Sequence, residues 1–395
     1  MGSLSCAGVR RVELSSLWVL SAAFMSALVI AQSPSSRTDQ SPQLHPRTHE
    51  EREQKFRAEH RAILNVKVTD ASGNPILGLA PNDFTLIDNL QPRTLVSLRF
   101  VEHGTRIALP RVVLVLDVLN QSTREFAQDA AGVRKFLARE SGHLSAPTAI
   151  AVLSGSGLTV GESSHDRGVL LQRLEDITYG VKSTRCEDLT DVPILHSDIW
   201  NDRSSIHNIP DQAPNCLNQK FIVSVTSIEH LALKEVDTPG RLVVVWIGPG
   251  WPRLDGKQFV PDTPQLKENF FEHLVLLTTA MREGQLTLDG VSALDRRHAP
   301  TERTAPPDEV AKVDDMTSSA LSMPAIIRRS GGQSQDDSQG IPDAIANCIK
   351  DAESFYVLSF DFAASLAPHE FHSLEIKVDC PGATVRTNTV YYAEP

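Results

Sequence analysis

Residues 111–121 read Arg-Val-Val-Leu-Val-Leu-Asp-Val-Leu-Asn-Gln, and they constrain the fold more than any other stretch. An uninterrupted β-branched and aliphatic run describes a strand buried on both faces. Here it ends in one carboxylate, Asp117, and runs directly into helical periodicity over 122–139. The alternation continues. Strands are predicted at 111–118, 148–153, 241–247 and 285–291, and helices at 122–139, 166–176, 217–234, 263–283 and 341–352. Thr148–Leu153 and Leu242–Ile247 are again almost wholly apolar. Apolar strands alternating with helices predict an α/β class, a Rossmann-type parallel sheet with helices on both faces.

The flanks differ. Residues 62–68 alternate in strand fashion, Asp70-Ala-Ser-Gly-Asn-Pro75 is turn chemistry, and 85–88 and 94–100 are two more short strands. Strands return at 355–360, 371–378 and 384–392. The expected organisation is a signal segment at 1–31, a disordered linker at 32–60 and an N-terminal β unit at 61–105. A large domain at 110–360 follows, with an inserted loop at 177–215, and then C-terminal strands at 361–395. Residues 292–316 also read as loop.

The bulk numbers exclude some classes. At 41% hydrophobic and 22% charged, 395 residues can bury a core. A formal charge of −11, with no run of five or more basic residues, argues against nucleic acid as a partner. Arg10-Arg11, the apolar stretch 14–31 and small residues at Val29-x-Ala31 match an export signal cleaved after Ala31, which predicts a secreted or periplasmic protein. The other reading is an uncleaved anchor. No later segment is apolar enough to span a membrane. In an exported chain, Cys186, Cys216, Cys348 and Cys380 are disulfide candidates, with neighbours in sequence favouring Cys186–Cys216 and Cys348–Cys380. Free buried thiols are the alternative.

Three segments together resemble the vWFA-related Acidobacterial domain family of exported proteins. They are Val66-x-Val-Thr-Asp70 with Gly73-x-Pro75, Gly78-Leu79 and Asp83-Phe84; then Val113-Leu-Val-Leu-Asp117; then Ser354-Phe-Tyr-Val-Leu358 with Phe371-His-x-Leu-x-Ile-x-Val378 and Tyr391-Tyr392. The resemblance spans about residue 61 to the end. It implies a von Willebrand factor A (vWA)-like core and a small β-sandwich-like unit made from both ends of the chain.

It also implies where a metal-ion-dependent adhesion site would lie. The vWA pattern is Asp-x-Ser-x-Ser, but this chain has Asp117-x-Leu119-x-Gln121. Gly248-Pro-Gly-Trp251 stands where the pattern places a second Asp. Mg²⁺ needs near-octahedral oxygen ligands. Asp117 is the one metal candidate, and only a rebuilt site using Asn120, Ser122 or Thr123 would hold an ion. The expectation is therefore a degenerate site and no cofactor. Asp117 would instead cap the following helix or bond nearby amides. The C-terminal edge of a parallel sheet is nonetheless where open α/β folds bind ligands. Asp117, Asn120, Gln121, Ser122, Thr123 and Trp251 are the ligand-binding candidates there. Trp251 is a recognition residue if exposed, and a seal on the sheet's end if buried.

Other motifs carry less. Ser154-Gly-Ser-Gly157 followed by Gly161 has the wrong spacing for a dinucleotide loop and reads as a hairpin turn before an N-cap at 163–166. His369-Glu-Phe-His372 lacks the spacing of a zinc helix and reads as a solvated strand start. Cys186, His196, His207 and Cys216 match no compact zinc motif. The aromatic and aliphatic residues of 177–215 would form either a partner surface or a local mini-core. No catalytic set assembles, so the expected function is a non-enzymatic module that binds a protein partner. The alternatives are a structural component of an envelope complex and a metal-assisted hydrolase.

Overall fold

The structure is a computed structural model. It describes residues 61–101, 110–139, 142–179, 181, 184, 214–236, 238, 240–251, 264–291, 309–317, 319–335, 340–362, 365 and 367–394. The signal segment, the linker, Cys186, and all of the 177–215 loop but residues 177–179, 181, 184 and the helical start at 214 lie outside these residues. In chain order the strands are β1 (Arg61–Thr69), β2 (Phe84–Asp88), β3 (Gln91–Arg93), β4 (Leu95–Val101), β5 (Arg111–Asp117), β6 (His143–Ser154), β7 (Gly157–Val160), β8 (Ser164–Asp166), β9 (Leu242–Ile247), β10 (Leu286–Val291), β11 (Ser334–Gln335), β12 (Phe355–Asp361), β13 (Glu370–Val378), β14 (Thr384–Arg386) and β15 (Val390–Ala393). The α-helices are α1 (Thr123–Ala138), α2 (Arg167–Thr178), α3 (Pro214–Glu235), α4 (Pro264–Glu283), α5 (Met323–Arg329) and α6 (Ile341–Ala352).

The central sheet runs β11-β10-β9-β5-β6-β7, parallel through β6 and closed by the antiparallel β7, with β8 also on β6. Period-two geometry sorts its residues onto two faces. Val113, Val115, Val244 and Trp246 join one buried cluster with residues of α3, α4 and α5. Val112, Leu114, Leu116, Val243 and Val245 join the other, with residues of α1, α2 and α6. Two buried faces explain why these strands read as continuous apolar runs rather than alternating ones.

The ends of the chain build two further antiparallel sheets, β14-β1-β12-β4 and β15-β13-β2-β3. A third cluster, including Leu64, Val66, Phe84, Leu86, Tyr356, Leu358, Leu374 and Tyr391, packs between them. Tyr356 ties the opening turn to this interior: its hydroxyl accepts from Leu79 N at 3.1 Å and donates to Ile76 O at 3.0 Å. This is the α/β architecture with a β-sandwich-like terminal unit. From Arg61 onward the chain forms one compact unit.

Several expectations need correction. The stretch 384–392 is two strands in different sheets, split at Thr387–Thr389. Phe355–Asp361, assigned with the large domain, pairs with β1 and β4 in the terminal unit. The short helix α5 and the strand β11 were not anticipated, because seven and two residues are too few for periodicity to register. Cys348 is a free thiol buried in the second cluster on α6, so the Cys348–Cys380 pairing does not form. Cys216 and Cys380, by contrast, are disulfide-bonded.

His372 is not at a solvated strand start. It is 3% exposed, its Nδ1 lies 2.6 Å from Asp88 Oδ1, and its ring stacks on Tyr391 at 4.6 Å. Asp88 Oδ2 also accepts from Tyr391 Oη and Arg93 Nε, each at 3.0 Å. Burial opposes the Asp88 charge, but these donors prevail and hold its carboxyl below the usual range. The His-Glu-Phe-His segment thus supplies a buried polar pin between β13, β15 and β2.

Candidate functional site

β5 and β9 are neighbours whose following helices pack on opposite faces, α1 with the second cluster and α4 with the first. Such a reversal parts the loops beyond the strand ends and is where open α/β sheets receive ligands. Asp117 closes β5 there, and Gly248 follows β9.

Asp117 is fully buried, and both its oxygens are engaged. Oδ1 accepts from Asn120 N at 3.0 Å and from Asn120 Nδ2 at 3.1 Å. Oδ2 accepts from Asn120 Nδ2 at 3.0 Å and from the indole Nε1 of Trp246 at 3.2 Å. Asn120 Nδ2 also reaches Ser224 Oγ on α3, at 3.1 Å. Burial pushes the Asp117 carboxyl up to about 7, against the donors that favour its charge. The backbone turns tightly here: Val118 N and Leu119 N both donate to Leu153 O at the end of β6, at 3.0 and 3.1 Å.

Gly248 lets the two loops approach. It holds φ +138°, and a Cβ there would lie 2.9 Å from Asp117 Cβ. Gln121 is buried beside it, and its Nε2 has no hydrogen-bond partner, nor does Asn120 Oδ1.

The expected residues therefore separate. Asp117, Asn120 and Gln121 converge at the end of β5. Ser122 serves as N-cap of α1: its Oγ accepts from Glu125 N at 3.3 Å, and Glu125 Oε2 accepts from Ser122 N at 2.9 Å. This reciprocal capping box commits the Ser122 hydroxyl locally, so Ser122, and not Asp117, caps the helix. Thr123 is exposed at the first turn. Trp251 is 3% exposed, donates its Nε1 to Leu321 O at 2.8 Å and packs edge-on against Trp246 at 5.5 Å. It seals the sheet's end and is not a surface recognition residue. Trp246 is the residue that sequence reasoning missed. A tryptophan within an aliphatic strand was the available signal, because a buried indole N–H needs an acceptor.

A divalent cation does not fit this set. Among the described residues Asp117 is the sole carboxylate at the end of β5, and each of its oxygens already faces two N–H donors. Gln121 turns an amide nitrogen, a donor, toward the same space. Octahedral Mg²⁺ requires several oxygens aimed at one point. Among the described residues, no three His, Cys, Asp or Glu side chains come together in a way that could hold a metal. Among the described residues no helix is long and apolar enough to cross a membrane.

No family model matches the chain, and no curated protein does. Solved structures align at low identity. Proximal thread matrix protein 1 from the mussel byssus is 9% identical over 66% of this chain and 49% of its own, with a TM-score of 0.29. The chain thus spans about half the length of that protein. An aerotolerance-related membrane protein from Bacteroides fragilis is 12% identical over 61% and 98%, TM-score 0.28. The manganese-loaded TRAP protein of Plasmodium vivax is 10% identical over 74% and 96%, TM-score 0.32.

Proposed function

We propose that this chain is an exported, vWA-type protein-interaction module that works without a divalent cation and without catalysis. The observation that carries the reading is the double occupancy of both Asp117 oxygens by Asn120 and Trp246 donors. In an ion-dependent site the carboxylate is held ready for a metal. Here a side-chain amide, placed three residues on, takes up the carboxylate's acceptor capacity instead. Export rests on the apolar segment 14–31 and the small residues before Gln32.

The test is thermal unfolding of the chain with Mg²⁺, Mn²⁺ or Ca²⁺ against EDTA, with Asp117→Ala as control. A ligand that binds only the native state raises the melting temperature. The expected result is no shift from any cation. A cation-dependent rise that disappears in Asp117→Ala overturns the reading. Proteins retained by the immobilised chain are expected to stay bound in EDTA; their release by EDTA, or retention of none, also overturns it.

A further inference from the structure

Arg241 stands just before β9, at the opposite end of the sheet from Asp117, and is 3% exposed. Its Nε donates to Thr287 Oγ1 on β10 at 3.2 Å, and its guanidinium carbon lies 5.2 Å from the centre of the Phe355 ring. Nη1 is buried and makes no hydrogen bond. Among the described residues no carboxylate forms an ion pair with this side chain. Buried arginines are almost always paired, because an uncompensated charge away from water is costly. Burial pushes the Arg241 pKa down, yet an arginine keeps its charge in a protein.

The surrounding charges do not balance it. Asp289 shares a face of β10 with Thr287 and accepts from Gln333 N at 2.8 Å. Asp351, at the end of α6, accepts from Arg386 Nη2 at 2.6 Å and has Lys67 Nζ at 3.6 Å. Arg241 senses both carboxylates, and it also senses Arg386 and Lys67. Three cations, Lys67, Arg241 and Arg386, thus face two carboxylates. The Cys348 thiol beside them is pushed well above its usual range, chiefly by burial, and adds no negative charge.

The cluster lies directly behind the wall of a cavity of about 690 Å³. Gly332 and Arg386 belong to that wall, and a Cβ on Gly332 would lie 3.0 Å from Asp289 Oδ1. A small ion from solvent therefore has a short path inward.

We propose that a monovalent anion of the size of chloride binds at Arg241 Nη1 and neutralises the surplus positive charge of this cluster. The anion accepts from Nη1, and the charges of Lys67 and Arg386 add to the attraction. Chloride supplies the one missing negative charge and accepts hydrogen bonds from any direction. Its binding ties β9 and β10 to α6 and to the terminal strands β1 and β14, which carry the other members of the cluster. The site is remote from the Asp117 edge, so its failure leaves the cation result standing.

The test is thermal unfolding of the full chain at neutral pH in rising sodium chloride, with sodium gluconate holding the ionic strength constant. The melting temperature is expected to climb and go on rising by about 5 °C at about a hundred times the dissociation constant. Bromide should act as chloride does. Arg241→Met removes the charge together with its need for a partner, so this variant should lose the chloride dependence. A crystal grown in sodium bromide should show an anomalous peak at hydrogen-bonding distance from Arg241 Nη1, a reading that does not rely on the variant folding. The proposal is overturned if melting ignores chloride at constant ionic strength, or if a folded Arg241→Met keeps the effect. A bromide peak that is absent or lies elsewhere, with water alone at Nη1, overturns it as well.

Discussion

Asp117 concentrates the residue-scale chemistry. Its carboxyl is raised from 3.8 to about 7, with burial as the main cause. The folded chain therefore keeps a proton that the unfolded chain has already released above about pH 4. With fewer protons bound in the unfolded state, stability falls as pH rises between these values, by up to about 1.4 kcal/mol per pH unit, and levels off above about 7. Asp117→Asn cannot ionise. Between about pH 5 and about pH 8, urea unfolding should show the variant gaining about 2–3 kcal/mol relative to wild type; an unchanged difference would refute the buried, raised carboxyl. Asp117 itself was legible as the chain's salient acid, because a lone charge ending an apolar strand is conspicuous. Its partners were only half legible. Asn120 lies three residues away, within reach of any turn, but Trp246 is distant in sequence and only sheet pairing places β9 beside β5.

At the scale of elements, the loop after β9 decides what the sheet's edge can do. Gly248 and Gly250 both hold positive φ, at +138° and +81°, and both sit against side chains, Asp117 and Met323. Gly248→Ala adds a Cβ 2.9 Å from Asp117 Cβ in a backbone conformation that L side chains rarely adopt. Denaturant unfolding should show a loss of about 2–4 kcal/mol, and a change below about 0.5 kcal/mol would mean the loops are not packed in this way. The Gly-Pro-Gly-Trp turn was visible in sequence, but whether Trp251 faced solvent was not. That depended on Leu321, whose carbonyl takes the indole N–H, and on the unanticipated segment that carries it. The regular helices were legible to within a few residues. α6 matches its expected bounds, because its apolar positions recur at helical spacing on one buried face.

Across the whole molecule, a buried polar cluster joins the terminal sheets to the α/β body. Lys67 on β1 is 3% exposed; its Nζ donates to Asp351 O at 2.7 Å and Ser354 O at 2.9 Å, and lies 3.6 Å from Asp351 Oδ1. Arg386 on β14 bonds the same Asp351 at the end of α6. Removing one partner of a buried ion pair leaves its charge uncompensated. Asp351→Asn should lower stability by about 3–5 kcal/mol, within a single unfolding transition shared by near-UV and far-UV signals. Two separated transitions would show that the terminal sheets and the body fold independently.

The sequence by itself determined the class of the fold, the terminal β unit and the lone carboxylate that ends β5. Each is written in local periodicity or in residue identity: strands buried on both faces must be continuously apolar, and a single acid ending such a run stands out. The tertiary structure alone decided which donors surround Asp117, that His372 is a buried pin and that Cys348 stays unpaired. These depend on which distant strands become neighbours. Pairing is set by the burial of the whole core, and no local stretch of chain encodes it.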